Sequence, residues 1–421
     1  MSKERKQKGN PHIIIFSIWL MVFASSSQIM IISPILPRIS EQLNIASTLL
    51  GTLVTSYAIM VGIFALITGP ISDKLGRRKI LLYGSGGMSI ALLLHSLAFD
   101  YYSLLIFRAI AGAAGGILSG SAVAYVGDYF PYEKRGWANG WIMSGIAAGQ
   151  ILGIPLGTVL AEHTGFKMSF IAFGIVMSAA FLLIYYFVPQ PNVTLHRGRI
   201  TLLNSLKKYI GLIKSKQIMA ASATYLLMFF SISVYIVFMP TWLEAKFNVS
   251  GDAIATIFFV GGLANVLVGP QAGKLSDKLG RKNIIIISCY GTAITMAITT
   301  FIIVEFWHAY ILFFITMVLV AARISPFQAL ITELVSSKRR GIMMSLMISI
   351  GQIGYGLGGA ISGPAYVKYG YVSNTYIGTV IVIAMGLIIW KFLPEPELKS
   401  NYKTSKASSS NDKTNIVKES I

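Results

Sequence analysis

Apolar residues run along this chain in twelve stretches of about twenty residues, separated by short polar or basic segments. A helix needs ~20 apolar residues to cross the hydrocarbon core of a bilayer. Of the 421 residues 54% are hydrophobic and only 12% are charged, against about 25% charged in soluble domains. The pattern predicts an all-α membrane protein with twelve transmembrane helices, at 13–36, 46–69, 79–98, 101–125, 137–160, 167–188, 217–241, 252–270, 283–304, 307–330, 341–363 and 371–393.

The basic residues are distributed unevenly between the predicted loops. If alternate loops face inward, 29 of the 35 Lys and Arg residues lie inside, which follows the positive-inside rule. We therefore predict a multi-pass protein of the cell membrane with both termini cytoplasmic. The first stretch is longer than a signal-peptide core and is read as an uncleaved helix. The net charge of +19 then faces the anionic inner leaflet of the lipid bilayer, and no nucleic-acid partner is expected.

The second half of the chain repeats the first. Gly69-Pro-Ile-Ser-Asp-Lys-Leu-Gly-Arg-Arg78 and Gly273-Lys-Leu-Ser-Asp-Lys-Leu-Gly-Arg-Lys282 stand 204 residues apart, and two further matches occur at an offset of 205. Repeated halves with a substrate site between them are typical of secondary transporters. The domains predicted from this repeat are an N-terminal tail 1–12, a six-helix bundle 13–188, a basic and partly amphipathic linker 189–216, a second six-helix bundle 217–393 and a disordered tail 394–421.

Three motifs in the first half resemble a known family. The loop Gly69–Arg78 has the form G-x-x-x-D-x-x-G-R-R and resembles the signature loop of the major facilitator superfamily. Arg108-Ala-Ile-Ala-Gly112 resembles its R-x-x-x-G element, and the glycines from 145 to 157 resemble the motif of its drug- and sugar-efflux branches. The resemblance covers roughly residues 12–395 and implies two pseudo-symmetric six-helix bundles, that is, the major facilitator fold. It also implies an exporter, although Ile154 and Thr158 depart from the usual motif.

Charged and glycine residues of the two repeated loops are the predicted gating elements. The resemblance implies that the loop Asp latches the outward-facing state by bonding to another helix end, and pairs of this kind must break during rocking of the halves. Positive φ is expected at the loop glycines Gly76 and Gly280. The alternative is that these charges only hold the turns and fix topology. The gating set is Gly69, Asp73, Gly76, Arg77, Arg78, Asp128, Arg135, Gly273, Asp277, Gly280, Arg281 and Glu333.

A stripe of small residues runs along the fifth predicted helix. Its members recur every four residues and so drift by only ~40° per step around the helix. Such a stripe permits close helix approach, either as a moving contact between the halves or as ordinary packing. The residues are Gly145, Gly149, Gly153 and Gly157, with Pro155 expected to bend the helix.

Polar and aromatic residues of helices 1, 4, 7, 10 and 11 are the candidates for substrate binding or coupling. An arginine inside a membrane usually faces a cavity or a partner, and the resemblance implies a coupling or substrate role for the one in helix 4. The alternative is a structural arginine bonded to carbonyls of a neighbouring helix. The full set is Gln28, Arg108, Tyr225, Phe229, Tyr235, Arg323, Gln328, Gln352 and Tyr355.

No carboxylate lies in the middle of a predicted helix, although a proton antiporter usually titrates such a group. The proton carrier is therefore unassigned, and Glu162, Glu244 and His95 are candidates near the outer helix ends.

The resulting hypothesis is a monomeric exporter of small, drug-like molecules that works by alternating access in exchange for protons. Export of sugars, nucleosides or lysolipids and uncoupled facilitation remain alternatives. The sequence lacks a Walker loop and a catalytic or metal-ligand constellation, so neither an ATP-driven pump nor an enzyme is expected, and no cofactor or metal is predicted.

Overall fold

The computed structural model describes residues 9–192, 209–336 and 339–395, without the side chains of Pro70 and Asp73. Within these ranges the chain is almost entirely helical and has no strand. Twelve helical segments of the described chain are long and apolar enough to cross a bilayer, which confirms the predicted number. Spans 1 to 12 are Pro11–Met30, Ser47–Gly69, Arg77–Leu97, Tyr101–Tyr129, Tyr132–Thr164, Phe166–Phe187, Lys216–Phe247, Gly251–Leu279, Arg281–Ile302, Phe306–Glu333, Arg340–Tyr369 and Tyr371–Phe392.

Several of these spans are interrupted or extended. Span 1 is followed directly by the helix Ile32–Leu43, and the helix of span 2 continues to Leu75. Span 3 ends in a 3₁₀ turn, and spans 4, 5 and 7 are each broken within the membrane region. Span 3 consists of Arg77–Leu94 and His95–Leu97, and span 4 of Tyr101–Leu118 and Ser121–Tyr129. Span 5 consists of Tyr132–Ala148, Gly149–Gly153 and Ile154–Thr164. Span 7 consists of Lys216–Val237 and Met239–Phe247.

Local capping repeats between the halves as the sequence does. Gly76 and Gly280 both have φ of +94°, the left-handed turn expected of them, and each ends a helix just before the next begins. Asp100 caps span 4, and Glu305 caps span 10 at the matching position, each in a capping box. These caps satisfy orphan backbone groups at helix ends. The duplicated fold therefore rests on duplicated local chemistry.

Spans 2 and 11 form the main contact between the first half (spans 1–6) and the second half (spans 7–12). Glycines allow this approach: a Cβ on Gly359 would lie 2.8 Å from the Gly51 carbonyl oxygen. The Thr55 hydroxyl also donates to the Gly356 carbonyl at 2.6 Å. Backbone therefore meets backbone across the interface, as small residues permit in membranes.

Spans 5 and 8 form the second contact between the halves, and it is confined largely to one end. Helix Ile154–Thr164 packs extensively on span 8, whereas Tyr132–Ala148 barely touches it. A Cβ on Gly262 would lie 3.0 Å from the Gln150 carbonyl oxygen, and one on Gly251 would lie 2.6 Å from Glu162 Oε2. The halves are therefore held together more tightly at the Glu162 end.

The bundle has two chemically distinct ends. We call the end that holds the ion pairs Arg77–Asp128 and Arg281–Glu333 the motif end. The end that holds Arg38, Glu162 and Glu244 is called the opposite end.

Parts of the predicted terminal and linker segments lie outside the described residues. These are 1–8 of the N-terminal tail, 193–208 of the linker and 396–421 of the C-terminal tail. Within the predicted amphipathic helix, residues 209–213 are helical, and the Tyr209 hydroxyl donates to the Leu66 carbonyl at 3.1 Å.

Candidate functional site

Arg108 is buried in the first half, at 1% exposure, and is the eighth residue of span 4. Its Nη1 donates to Gln28 Oε1 of span 1 at 3.2 Å, and its Nε lies 3.5 Å from the Leu53 carbonyl oxygen. Its guanidinium sits 4.4 Å from the ring centroid of Tyr57, and the Tyr57 hydroxyl accepts from Gln28 Nε2 at 2.9 Å. A cation–π contact and an amide therefore hold the charge without a carboxylate.

Tyr355 brings the second half to this cluster. It lies on span 11, within electrostatic range of Arg108 and close to the Ser33 side chain of the first half. Gln352 is half-buried one turn away on the same span. The polar cluster around Arg108 is therefore built by spans 1, 2 and 4 and completed from span 11.

An aromatic cluster lies in the second half. The Tyr225 ring lies 5.0 Å from Phe229 and stacks on Phe327 at 5.9 Å. Gln328 lies close to the Tyr225 hydroxyl, and Gly351 of span 11 packs directly against both Tyr225 and Phe229. The Tyr225 and Phe327 rings are buried, and together with Phe229 they form an aromatic cluster of the kind that lines ligand sites. Sequence reasoning missed Tyr57 and Phe327, because a single aromatic residue in an apolar span carries no signal of its own.

Two of the predicted candidates lie elsewhere in the second half. The Tyr235 hydroxyl pairs with Thr299 at 3.1 Å, and its carbonyl accepts from Tyr371, so Tyr235 packs between spans 9 and 12. Arg323 is fully buried and donates to the Thr292 hydroxyl of span 9 at 3.3 Å. Neither residue joins the Arg108 cluster or the aromatic cluster through these contacts.

The motif end carries matched ion pairs in the two halves. Arg77 Nε contacts Asp128 at 2.6 Å, which joins span 3 to span 4. In the repeat, Arg281 contacts Glu333 and also lies 3.3 Å from Asp277. Each of these pairs lies within one half.

The other predicted gating residues lie around these pairs. Arg135 donates to the Phe130 carbonyl at 3.0 Å, and Gly273 packs on Ser325 of span 10. Gly69 faces Ser345 of span 11, and Arg78 donates to the Tyr185 carbonyl of span 6. The side chain of Asp73 lies outside the described residues, so its predicted latch remains a prediction.

The glycine stripe of span 5 packs against span 1 of the same half. A Cβ on Gly145 would lie 2.9 Å from the Trp19 carbonyl oxygen, and one on Gly157 would lie 2.6 Å from Ile31. Residues Gly149–Gly153 form a π-helical turn that ends two residues before Pro155. Proline removes one backbone donor, and π turns commonly mark such irregularities. Gln150, in the same turn, approaches Gly262 of the second half.

An ion cluster at the opposite end joins the two halves, and the sequence did not predict it. Arg38 contacts Glu162 at 2.6 Å and Glu41 at 2.8 Å within the first half. It also contacts Glu244 of span 7 at 3.4 Å. Burial alone would lower the pKa of Arg38, but the neighbouring carboxylates outweigh it and raise the pKa. His163 and Asp252 form a second cross-half pair at 3.0 Å.

In the described part of the chain, no group of three or more His, Cys, Asp or Glu residues is placed to hold a metal ion. Among the described residues, Arg108 and Arg323 carry buried guanidinium groups, one in each half.

Comparison with known proteins gives the family. The Major Facilitator Superfamily profile matches residues 18–236 and 221–418. The uncharacterized MFS-type transporter YceJ of Bacillus subtilis strain 168 is 28% identical over 272 residues, which cover 62% of this chain and 67% of that protein. Multidrug resistance protein MdtG of Proteus mirabilis strain HI4320 is 25% identical over 394 residues, covering 91% and 97%. MdtG of Salmonella typhi is also 25% identical, covering 89% and 94%.

Solved structures share the fold. The crystal structure of a D-xylose–proton symporter superposes with a TM-score of 0.75 at 20% identity, over 92% of this chain and 99% of that one. The inward-open xylose transporter XylE of E. coli superposes with a TM-score of 0.73 at 17% identity, over 93% and 98%. With the twelve spans and the duplicated motif loops, these matches show that the chain belongs to the Major Facilitator Superfamily and is a multi-pass membrane transporter similar to its drug-efflux branch.

Proposed function

We propose that this protein exports lipophilic, drug-like organic molecules by alternating access, in exchange for protons. The observation that carries the proposal is the pairing of a buried cationic cluster in one half with an aromatic cluster in the other. Arg108 with Gln28 and Tyr57 supplies directional donors, and the stacked rings of Tyr225 and Phe327 supply a planar apolar surface. Sites of this kind, apolar with a few placed polar groups, bind drug-sized ligands.

The multidrug relatives support the choice of substrate class. Proteins named as multidrug resistance protein MdtG are similar over nine-tenths of the chain. Span 11 ties the two clusters together, because Tyr355 reaches the first half while Gly351 packs on Tyr225. A rocking motion of the halves would therefore rearrange both clusters at once.

We propose that the motif end faces the cytoplasm and that the protein works as a monomer in the cell membrane. The excess of Lys and Arg in the loops of that end supports this orientation. The cross-half pairs of Arg38 with Glu244 and of His163 with Asp252 close the opposite end. On this proposal the structure corresponds to a state closed toward the outside.

Uncoupled facilitation is the second candidate function, because one observation favours it. Arg108 is held by an amide and a ring, and no Asp or Glu of the sequence lies in the middle of a span. A titrating carboxylate or histidine is the usual proton carrier inside a membrane.

Proton movement in proteoliposomes separates the two candidates. Vesicles with an imposed pH gradient and an internal pH dye would receive lipophilic cations, neutral aromatic drugs, sugars or nucleosides in turn. Antiport predicts proton release triggered by one compound class, and its loss in Arg108→Ala. Asp100→Asn changes the N-cap residue of the same span; it is the control and should retain transport. Substrate exchange without proton movement would refute coupling and support facilitation.

A further inference from the structure

A pocket of about 350 Å³ lies at the motif end, between the start of span 1, the start of span 3 and the end of span 6. Its polar lining is provided by Asn10, Arg78 and Gln190. Its apolar lining includes Ile13, Tyr186 and Phe187, with exposures of 37%, 71% and 48% on the outer surface of the bundle. The pocket thus joins a polar recess to a surface that faces the bilayer.

Hydrogen bonds hold Arg78 in this recess, but one of its side-chain donors lacks an acceptor in the described part of the chain. Its Nη2 donates to the Tyr185 carbonyl at 2.6 Å, and its guanidinium lies 5.9 Å from the Tyr185 ring centroid. Its backbone N–H donates to Gln190 Oε1 at 3.1 Å. Its Nε is buried and has no hydrogen-bond partner among the described residues. A buried donor without an acceptor is costly, and a charged acceptor satisfies it best.

The repeat provides an internal comparison. At the corresponding corner of the second half, where span 9 begins near the end of span 12, the basic side chain donates its hydrogen bonds to other groups of the chain. Lys282 replaces Arg78, and its Nζ donates to the Trp390 and Leu393 carbonyls at 2.7 and 2.9 Å. Glu395 replaces Gln190 and accepts from the Lys282 backbone N–H at 3.0 Å. A carboxylate at that corner repels anions, whereas the first-half corner has a neutral amide and a free N–H. The two corners share geometry but differ in charge.

We propose that the pocket at Arg78 binds the phosphate headgroup of an anionic phospholipid. The phosphate would lie beside the Arg78 guanidinium, whose Nε lacks an acceptor among the residues that the structure describes, while Ile13, Tyr186 and Phe187 would contact the acyl chains. Lys74 and Lys79, both exposed on the same loop and helix start, add positive charge that attracts anionic lipid. A lipid is favoured over soluble phosphate because the apolar lining opens onto the outer surface of the bundle.

Lipid retention during purification tests the assignment. The protein would be reconstituted in nanodiscs of phosphatidylglycerol and phosphatidylcholine, re-extracted in detergent, and analysed for bound lipid by native mass spectrometry. The wild type is expected to retain phosphatidylglycerol selectively. Arg78→Gln and Gln190→Glu should each lower that retention by roughly tenfold or more, since hydrogen bonds to charged groups are the strong ones.

Gln190→Glu is the decisive variant, because the second half already accommodates Glu395 at the matching position and the fold should tolerate the change. Lys282→Gln is the control and should leave retention unchanged. Equal loss in Lys282→Gln, or retention unaffected by Gln190→Glu in a protein with wild-type thermal stability, would overturn the proposal. Displacement of the lipid by inorganic phosphate at millimolar concentration would assign the pocket to a soluble anion and overturn the lipid assignment.

Discussion

Replacing Arg38 with glutamine is expected to open the opposite end of the bundle. Arg38 contacts Glu41 and Glu162 within its own half and Glu244 across the interface. Only the contact with Glu244 must break when the halves separate at this end. The substitution therefore removes a contact that is specific to the closed state, and it leaves three carboxylates close together without their shared cation.

The size of the effect follows from the cross-half distance. Two unit charges 3.4 Å apart attract by about 5 kcal/mol at an effective dielectric constant of 20. The side chains of Arg38 and Glu244 are 23% and 15% exposed, so solvent screening and side-chain entropy reduce this value to about 1–2 kcal/mol. Since 1.4 kcal/mol is a factor of ten, the closed population should fall roughly 5- to 30-fold relative to the open one.

Chemical cross-linking across the interface measures this shift. His163 Nε2 and Asp252 Oδ2 belong to different halves and lie 3.0 Å apart, so cysteines at both positions should be bridged by a short bis-methanethiosulfonate reagent while the opposite end is closed. The single native cysteine, Cys289, would be replaced by serine in every variant. Arg38→Gln should slow this cross-linking and raise labelling by a membrane-impermeant maleimide.

Glu41→Gln is the matched control, because it removes a carboxylate that is 67% exposed and contacts Arg38 within the same half. It should leave cross-linking near the wild-type rate. If Arg38→Gln also left the rate and the labelling unchanged, the ion cluster would not hold this end closed and the reasoning would be refuted.

Three further predictions concern packing, ion pairing and capping. Gly145→Val should lower the melting temperature in detergent, because its Cβ would lie 2.9 Å from the Trp19 backbone oxygen and overpacking typically costs about 1–3 kcal/mol; a wild-type melting curve would contradict the packing argument. In a double-mutant cycle of Arg281→Gln with Glu333→Gln, transport rates should be non-additive, whereas additive effects would show that the pair in the second half does not act as a unit. Hydrogen bonds from Ser103 hold the pKa of Asp100 below its usual range, so its cap should contribute fully above about pH 4 and be lost only as pH falls through the lowered pKa; Asp100→Ala should therefore reduce thermal stability at pH 7 but not near pH 2, as circular dichroism would measure.

The helix spans were predictable because hydropathy is a local property of the chain. Eleven of the twelve predicted spans begin within a few residues of the observed helices, and several helices run on past the apolar stretch until a turn residue ends them, as span 8 does at Gly280. The break after Met30, before the helix Ile32–Leu43, was not predicted. Pro34 lies within the apolar run and removes a helical hydrogen bond, but the predicted span followed hydropathy alone and ran on to residue 36.

The candidate site was only partly predictable, because partners depend on how helices rotate against each other. Arg108 and Gln28 were each selected as polar residues in apolar spans, and the structure joins them across 80 residues of sequence. Tyr57 and Phe327, which complete the clusters, resemble the many aromatic residues that only pack. Tyr235 had the same sequence signal but faces spans 9 and 12.

The sequence by itself determined the twelve spans, the duplication and the family, because each depends on hydropathy, spacing and short motifs that can be read along one chain. Tertiary structure alone decided which charges meet. Arg38 and Glu244 are 206 residues apart and lie in different halves. Packing also decided that the Lys282 side chain meets two backbone carbonyls whereas the Arg78 side chain meets that of Tyr185. A side chain's partner is set by helix crossing and rotation, which involve the whole bundle at once.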